Sequence, residues 1–549
     1  MPAGSSAFAK FVYDNLGRAV TRRVGYDLSG ETYSQASSVA NDTIMEQVET
    51  TYDEAGNAIQ AASRQRFHNA TGSGPLTAPG GAQPVARVTY VAAYPDAVGR
   101  SQAVADYGTN GDLALVRSAT IPASSATVHV ASTSYANDGT VSQTIDPAGT
   151  VTAYTVDQAG RQTQVVENYR AASSSSSSSS GGLPSSDDTN VTTQWTYNAD
   201  SLVATLTAVN AETGNQTTTY GYGTTLAASD IARNDLLASM TYPDMGVVVY
   251  LYNRQGQVKQ FADQRGVVHA YSFDLLGRLT QDAVTSFIAS SSSSGSSGTG
   301  NSSGSSSSSS GSTSPVDGTV QRIGRTYEVR GMLQNVTSYS SPVVGQGSVV
   351  NDVQFAYNTF SQLSTEYQEH SGAVNTSTSA NVQYAYANGS TNTVRPTSVT
   401  YPNGRVLNYN YAMSGGMDDA LSRIASLIDN DGVTHLADYT RLGLASIVQT
   451  AYPQPSLAYS LINGSGADPY SGLDQFDRVA DCRWFNTGTN ADVERVRHGY
   501  DLAGNRLWRS CPVAAAAGVN LDELYLYWDL NQTRTHSEFN EITAISGGG

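Results

Sequence analysis

Cysteine is nearly absent: Cys482 and Cys511 are the only two in 549 residues. That excludes a disulfide framework and a cysteine-based zinc site. It leaves open either one Cys482–Cys511 bridge or two plain thiols. Basic residues are also scarce, 30 Lys and Arg against 47 Asp and Glu, for a net charge of −17. Nucleic acid and anionic membrane surfaces both call for basic patches, so neither is an expected partner. No run of about 18 apolar residues occurs, so no transmembrane helix and no membrane insertion are expected. The opening residues, MPAGSSAFAKFVYD, lack the basic and apolar regions of a signal peptide. They enter repeat-like sequence at once, so the chain is expected to be a piece of a longer protein. Helical periodicity is rare. Residues 417–428 place apolar side chains where one helical face would, or equally a strand with an irregular turn. The tract CPVAAAAGVNLDELYLY has room for one helical turn near Ala514.

Tyrosine, by contrast, is abundant: 33 residues against 11 phenylalanines. Tyrosine suits strand positions that are half wet, where the ring packs and the hydroxyl reaches water. With only 14% charged and 39% hydrophobic residues, the expected product is a broad sheet with a thin or one-sided core.

Residues 252–282 show the organising pattern. Tyr252-Asn253-x-x-Gly256, Ala262-Asp263-x-x-Gly266 and Phe273-Asp274-x-x-Gly277-Arg278 follow at steps of 10 and 11 residues. Asp or Asn at the first turn position can bond the amides ahead of it, and Gly three positions later accepts a positive φ. Between turns the sequence alternates, with Val267, His269, Tyr271 and Phe273 on one face. Short strands joined by tight hairpins follow, and the step of 10–11 is read as the pitch of the array.

The pattern recurs from end to end. Copies stand at Tyr13-Asp14-x-x-Gly17-Arg18, Tyr26-Asp27-x-x-Gly30, Tyr52-Asp53-x-x-Gly56-Asn57 and Asp96-x-x-Gly99-Arg100. Others are Asp146-x-x-Gly149, Val156-Asp157-x-x-Gly160-Arg161 and Tyr500-Asp501-x-x-Gly504-Asn505. Degenerate copies begin at Tyr197, Tyr327 and Tyr357. Such self-similarity marks stacked units. Two Ser/Gly-rich segments interrupt it, and neither can bury apolar surface. The organisation expected is therefore a repeat array over 8–172, a disordered loop at 173–189, array again over 190–288, a second loop at 289–316, and array over 317–549. Strand-like sequence resumes directly after each tract, so they read as expanded surface hairpin loops.

No catalytic, cofactor or metal constellation emerges. His269 and His498 are both read as sitting two residues before a strand's aromatic–Asp pair, which suggests a repeated structural slot. Gly300-Asn301-Ser302-Ser303-Gly304 matches a nucleophile-elbow pattern without the strand and helix that pattern requires. Asp429-Asn430-Asp431-Gly432 resembles the start of a calcium loop, but Thr440 stands where the bidentate Glu belongs. The repeat carboxylates are each explained by their own turn. No cofactor is expected, and the chain is not expected to be an enzyme. Exposed Tyr and Trp (Trp195, Trp484, Trp508 and Trp528) could stack on sugars if they cluster.

The units YDNLGR, TYDEAGN, VDQAGR, FDLLGR and YDLAGN resemble the YD repeats of RHS proteins. Longer stretches, SRQRFHNATGSGPLTAPG and HGYDLAGNRLWR among them, are similar to RHS-repeat proteins of planctomycetes. The resemblance implies an all-β fold: a long, spiralling antiparallel hairpin strip that forms all or part of a hollow shell. It implies a structural role, enclosing or displaying a C-terminal toxin or effector domain in intercellular competition. Animal relatives act in cell-surface adhesion, which makes carbohydrate or a neighbouring cell surface the alternative partner. The implied location is secreted or cell-surface associated. The family's Asp-Pro-containing C-terminal core, which acts in self-cleavage, has no counterpart here. Asp146-Pro147-Ala148-Gly149 resembles it only superficially, and the chain reaches EFNEITAISGGG still in repeat-like sequence.

Overall fold

The computed structural model describes residues 7–27, 37–171, 189–211, 213–286, 318–387, 394–464 and 466–517, with the backbone of Asn531–His536 and Ile542–Ser546. The two Ser/Gly tracts, the 300–304 match and Trp528 lie outside the described residues. The chain divides into two compact units. The first comprises Met1–Thr192, Ala385–Val399 and Arg405–Gly549, and the second Thr193–Tyr384 with Thr400–Gly404.

The architecture is an antiparallel β-hairpin strip. Thirty-four strands occur among the described residues, with two α-helices of four and five residues and one 3-10 turn at Asn110–Asp112. In the first unit Ala7–Tyr13 pairs with Ala19–Tyr26, which pairs with Thr43–Tyr52, then Ala58–Arg66, Ala86–Pro95, Ser101–Gly108 and His129–Tyr135, each antiparallel to the next in sequence. The second unit runs the same way from Val203–Val209 to Leu363–Glu369. Residues 417–428 form neither one helix nor one strand. Met417–Ala420 is a single helical turn, tied by Asp419 to Arg395 and by Asp418 to Arg423. Ser422 then reverses the chain at a φ of 53°, and Ser426–Ile428 is a separate strand. Pro512–Ala516 forms the helical turn expected near Ala514.

Strand polarity places the core. Along Ala86–Pro95, Val88, Tyr90, Ala92 and Tyr94 are buried on one face. Their partners across the sheet are small: Tyr94 faces Ala103, Ala92 faces Ala105, and Tyr90 faces Ala62. Large rings over methyl groups fill the layer without voids. Burial, with the Tyr107 hydroxyl 3.4 Å away, pushes the Tyr94 phenol up to about 12. The second unit is leaner, with Val248, Tyr252, Val267 and Ala283 its buried apolar residues among those described. Polar groups share its interior. Thr337 donates to the buried Asp352 at 2.7 Å, and the other Asp352 oxygen accepts the Val374 amide.

Within the first unit, residues 468–478 dock on strands some 400 residues earlier in the chain. Tyr470 is fully buried, edge-on to Phe67 at 5.2 Å, with its hydroxyl 2.9 Å from the His68 amide nitrogen and 2.8 Å from His68 Nδ1. Arg87, 3% exposed, pairs with Asp468 and Asp477 and donates to the Asp474 carbonyl. Phe476 stacks on His129 at 3.7 Å. Gly108 approaches the Gln475 carbonyl so closely that a Cβ would sit 2.0 Å from its oxygen, so only glycine fits.

The tight Tyr-over-Ala layer makes a discriminating prediction. Ala105→Leu, at a fully buried site, is expected to lower unfolding free energy by about 1–3 kcal/mol. Val104→Leu, on the exposed face, should stay within about 0.5 kcal/mol. Paired urea titrations measure both.

Candidate functional site

Among the described residues, the repeated turn is the constellation that recurs in both units. In the first copy the Asp14 amide donates to Arg18 O and the Gly17 amide to Asp14 O, each at 3.0 Å. One Asp14 oxygen accepts the Leu16 and Arg18 amides at 2.9 Å, and the other accepts Arg18 Nε at 2.7 Å. A five-residue loop is thereby closed by one carboxylate. Asp157–Arg161 and Asp274–Arg278 repeat the arrangement, with Gly160 and Gly277 at φ 77° and 79°. In Asp53–Asn57 and Asp501–Asn505 the asparagine amide replaces the guanidinium against the carboxylate, with Gly56 and Gly504 in the turn. In Asn253–Gln257 an amide oxygen does the carboxylate's work, with Gly256 in the turn.

The copies are of two kinds. Tyr13, Tyr52, Tyr252, Phe273 and Tyr500 each end a strand whose register shifts at that residue, marking a bulge. Asp263–Val267 and Asp146–Thr150 lack it: Ala262 pairs directly with Val268, and Ile145 with Val151. Successive hairpin turns alternate between opposite edges of a strip, so these are its two edges. The step of 10–11 is one strand. The structural pitch is two strands, 21 residues from Tyr252 to Phe273 and from Tyr135 to Val156, which corrects the single-step reading.

The aromatic edge carries a contact that links one turn to the next. The Arg18 guanidinium lies 4.7 Å from the Tyr52 ring centroid, and its Nη1 donates to Asp53 O at 3.1 Å. Tyr52 returns a bond from its hydroxyl to Ala19 O, 3.1 Å away. Arg100 and Tyr135 (4.2 Å), Arg278 and Tyr327 (4.3 Å), and Arg478 and Tyr500 (4.6 Å) repeat the stack. In each, the hydroxyl donates to the residue after the arginine: Ser101, Leu279 and Val479. This accounts for tyrosine at these four turn positions. The ring covers a cation and the hydroxyl closes a backbone carbonyl, which phenylalanine cannot do.

Asp474–Arg478 is a full member of the set that sequence reading missed. Asp474 accepts the Phe476 and Arg478 amides and Arg478 Nε. Leu473 replaces the aromatic, and Asp477 holds a positive φ of 63° in the glycine place. The signal present was Asp with Arg four residues on. Ser201 and Ser361 fill the glycine place likewise, at φ 64° and 66°.

Other candidates disperse. Cys482 and Cys511 are free thiols, both pushed up by burial. His269 stands four residues ahead of Phe273 and pairs with Asp282 at 2.8 Å, whereas His498 stands two ahead of Tyr500, opposite Arg509. The two do not share a slot. Asp429 pairs with Arg405, and Asp431 accepts the Val433 and Thr434 amides, an ordinary turn. Trp484 lies opposite Glu494 and Trp508 opposite Gly499, five positions apart on one regular stretch of strand. They therefore face opposite sides of the sheet. Trp195 belongs to the other unit.

Fold and turns together define a strip of tandem aromatic–Asp hairpins. No family model and no curated protein matches the chain. Among solved structures it is similar to a TcdB2-TccC3-TEV crystal structure, at 10% identity and a TM-score of 0.48, covering 96% of this chain and 24% of that one. A Photorhabdus luminescens Tc holotoxin pore gives 10% identity and 0.47, over 96% and 24%. TcdB2-TccC3 without its hypervariable C-terminal region gives 10% and 0.48, over 95% and 24%. The chain thus spans about a quarter of the length of these structures.

The Asp14, Asp157 and Asp274 carboxylates sit below the usual range. In Asp14 and Asp274 the arginine backbone N–H is the first cause, and in Asp157 the arginine side chain is. A lowered native value means the contribution is complete above about pH 4, the ordinary carboxylate range, and is lost as pH falls through the lowered values. Urea midpoints of the native protein should therefore fall on acidification below about pH 4. A triple Asp14→Asn, Asp157→Asn, Asp274→Asn variant, whose amide oxygen still accepts the two backbone amides as Asn253 does but whose NH2 cannot accept from the arginine Nε, should start less stable at neutral pH and show a shallower acid loss.

Proposed function

We propose that the chain is wall: an RHS-type hairpin strip that encloses or displays a toxin or effector domain carried elsewhere in a longer polypeptide. On this reading it works outside the producing cell or on its surface, as a structural part and not as an enzyme. The planctomycete affinity of its longer stretches belongs to the same proposal. The observation that carries it is the turn-to-turn lock. Arg–Tyr contacts join neighbouring hairpins at one edge in both units, so the ordered groups are spent on continuity of the strip. The turn carboxylates are bonded within their own loops, which supports a structural role for them.

Carbohydrate or cell-surface binding is the alternative, favoured by one aromatic group. Trp484 stacks with Tyr452 at 5.8 Å and packs on Tyr459 at 5.5 Å. All three rings are half-buried, which leaves limited area for a sugar.

Limited digestion by a broad-specificity protease, applied to the protein in its full natural length and read by mass spectrometry, tests the wall. Early cuts are expected within 173–182 and 290–314, and any enclosed domain should persist until the strip unfolds. Cuts spread evenly through the hairpins, or loss of that domain at the rate of its isolated form, would contradict the reading.

A further inference from the structure

In the first unit the lock is absent between turns 53–57 and 96–100, as it also is between 136–140 and 157–161, where Thr140 and Val156 hold the arginine and tyrosine places. Turns Asp53–Asn57 and Asp96–Arg100 are neighbours on the aromatic edge, because Ala58–Arg66 pairs with Ala86–Pro95. Pro95 pairs with Ser101 as Tyr13 pairs with Ala19 and Tyr52 with Ala58, so Pro95 occupies the tyrosine place. Asn57 occupies the arginine place. Both large partners of the stack are thus replaced by small residues. Between the two turns lies an open cleft of about 510 Å³, whose lining includes Asp53, Asn57, Pro95, Asp96, Val98 and Gly99.

We propose that this cleft binds a guanidinium group, presented by an arginine side chain of a partner peptide. The chain itself supplies the geometric precedent. At Arg18–Tyr52, Arg100–Tyr135, Arg278–Tyr327 and Arg478–Tyr500 a guanidinium fills the gap between successive turns. In two of these it also donates to the carbonyl of the next turn's aspartate, Asp53 or Asp501, at 3.1 Å. In the cleft the corresponding acceptor is Asp96 O, which takes the Gly99 amide at 3.0 Å just as Asp53 O takes the Gly56 amide at 3.1 Å alongside Arg18. The acceptor that serves Arg18 one turn earlier is therefore repeated in the cleft. Asp96 is ion-paired with Arg100 at 2.7 Å, so the uncompensated negative charge of the walls comes from Asp53, whose carboxylate is bonded to the neutral amides of Asn57, and the chain's net charge of −17 adds to it. Pro95 and Val98, the latter 74% exposed, offer an apolar edge for the aliphatic stem and the flat face of a guanidinium. Ammonium is a compact point charge without that planar fork, so the cleft selects arginine over lysine. The cleft is lined mainly by carbonyl and carboxylate oxygens, hydrogen-bond acceptors that disfavour an anionic ligand.

Nuclear magnetic resonance titration of the chain tests this with three probes: methylguanidinium, a blocked Gly-Arg-Gly peptide, and its Gly-Lys-Gly counterpart. Shifts are expected to concentrate in 53–57 and 96–100, with the lysine peptide at least about tenfold weaker than the arginine peptide. Methylguanidinium binding as well as the peptide assigns recognition to the guanidinium alone. A clear preference for the peptide assigns it to an arginine within a chain. Asn57→Arg with Pro95→Tyr fills the cleft with the chain's own stack and should abolish peptide shifts. Asn57→Arg alone, the milder change, should weaken them at least about tenfold. No binding, equal binding of both peptides, or undiminished binding to the filled variants would each overturn the proposal.

Discussion

Everything in this strip depends on an aspartate that closes its own turn and frees the following arginine to reach the next one. The carboxylate takes two backbone amides and one guanidinium nitrogen within five residues. An asparagine oxygen takes the two backbone amides in the Asn253 turn, but a carboxylate has a second acceptor oxygen for the guanidinium nitrogen as well. Held by its Nε, the arginine presents its flat face to the tyrosine of the next hairpin on that edge. Turn formation and hairpin-to-hairpin cohesion are thus one interaction, and the sheet advances by two strands for each use of it.

That economy suits a sheet with little core. In the first unit, tyrosines over alanines form a buried layer, and the 468–478 segment adds a second closure through Arg87 and Tyr470. The second unit buries fewer apolar residues, yet its Arg278–Tyr327 contact has the same form as Arg18–Tyr52 in the first. A contact worth about 0.5–2 kcal/mol matters when it recurs along the strip.

The hairpin strip was legible because its signals are local. Asp-x-x-Gly spacing, alternation and tyrosine excess all act within one hairpin, and the clean copies at 13–18, 52–57 and 273–278 show them unmixed. What escaped was non-local or substituted. Asp474–Arg478 hides behind Leu473 and Asp477 because the turn tolerates a side chain at positive φ when its other bonds are kept. The stacking of Arg18 on Tyr52 joins residues 34 positions apart, beyond any motif window. The docking of 468–478 on Arg87 and His68 has no sequence-local signal at all. The doubled pitch required knowing that alternate turns lie on opposite edges, which the repeated Asp-x-x-Gly spacing conceals.

A double-mutant cycle on Arg278 and Tyr327 measures the lock most directly. Arg278→Ala, Tyr327→Leu and the pair, followed by urea unfolding, isolate the coupling between two turns separated by 49 positions. The account predicts a favourable coupling of about 0.5–2 kcal/mol. Additivity of the two single changes would show that the turns fold independently, and would contradict the claim that this contact holds the strip together.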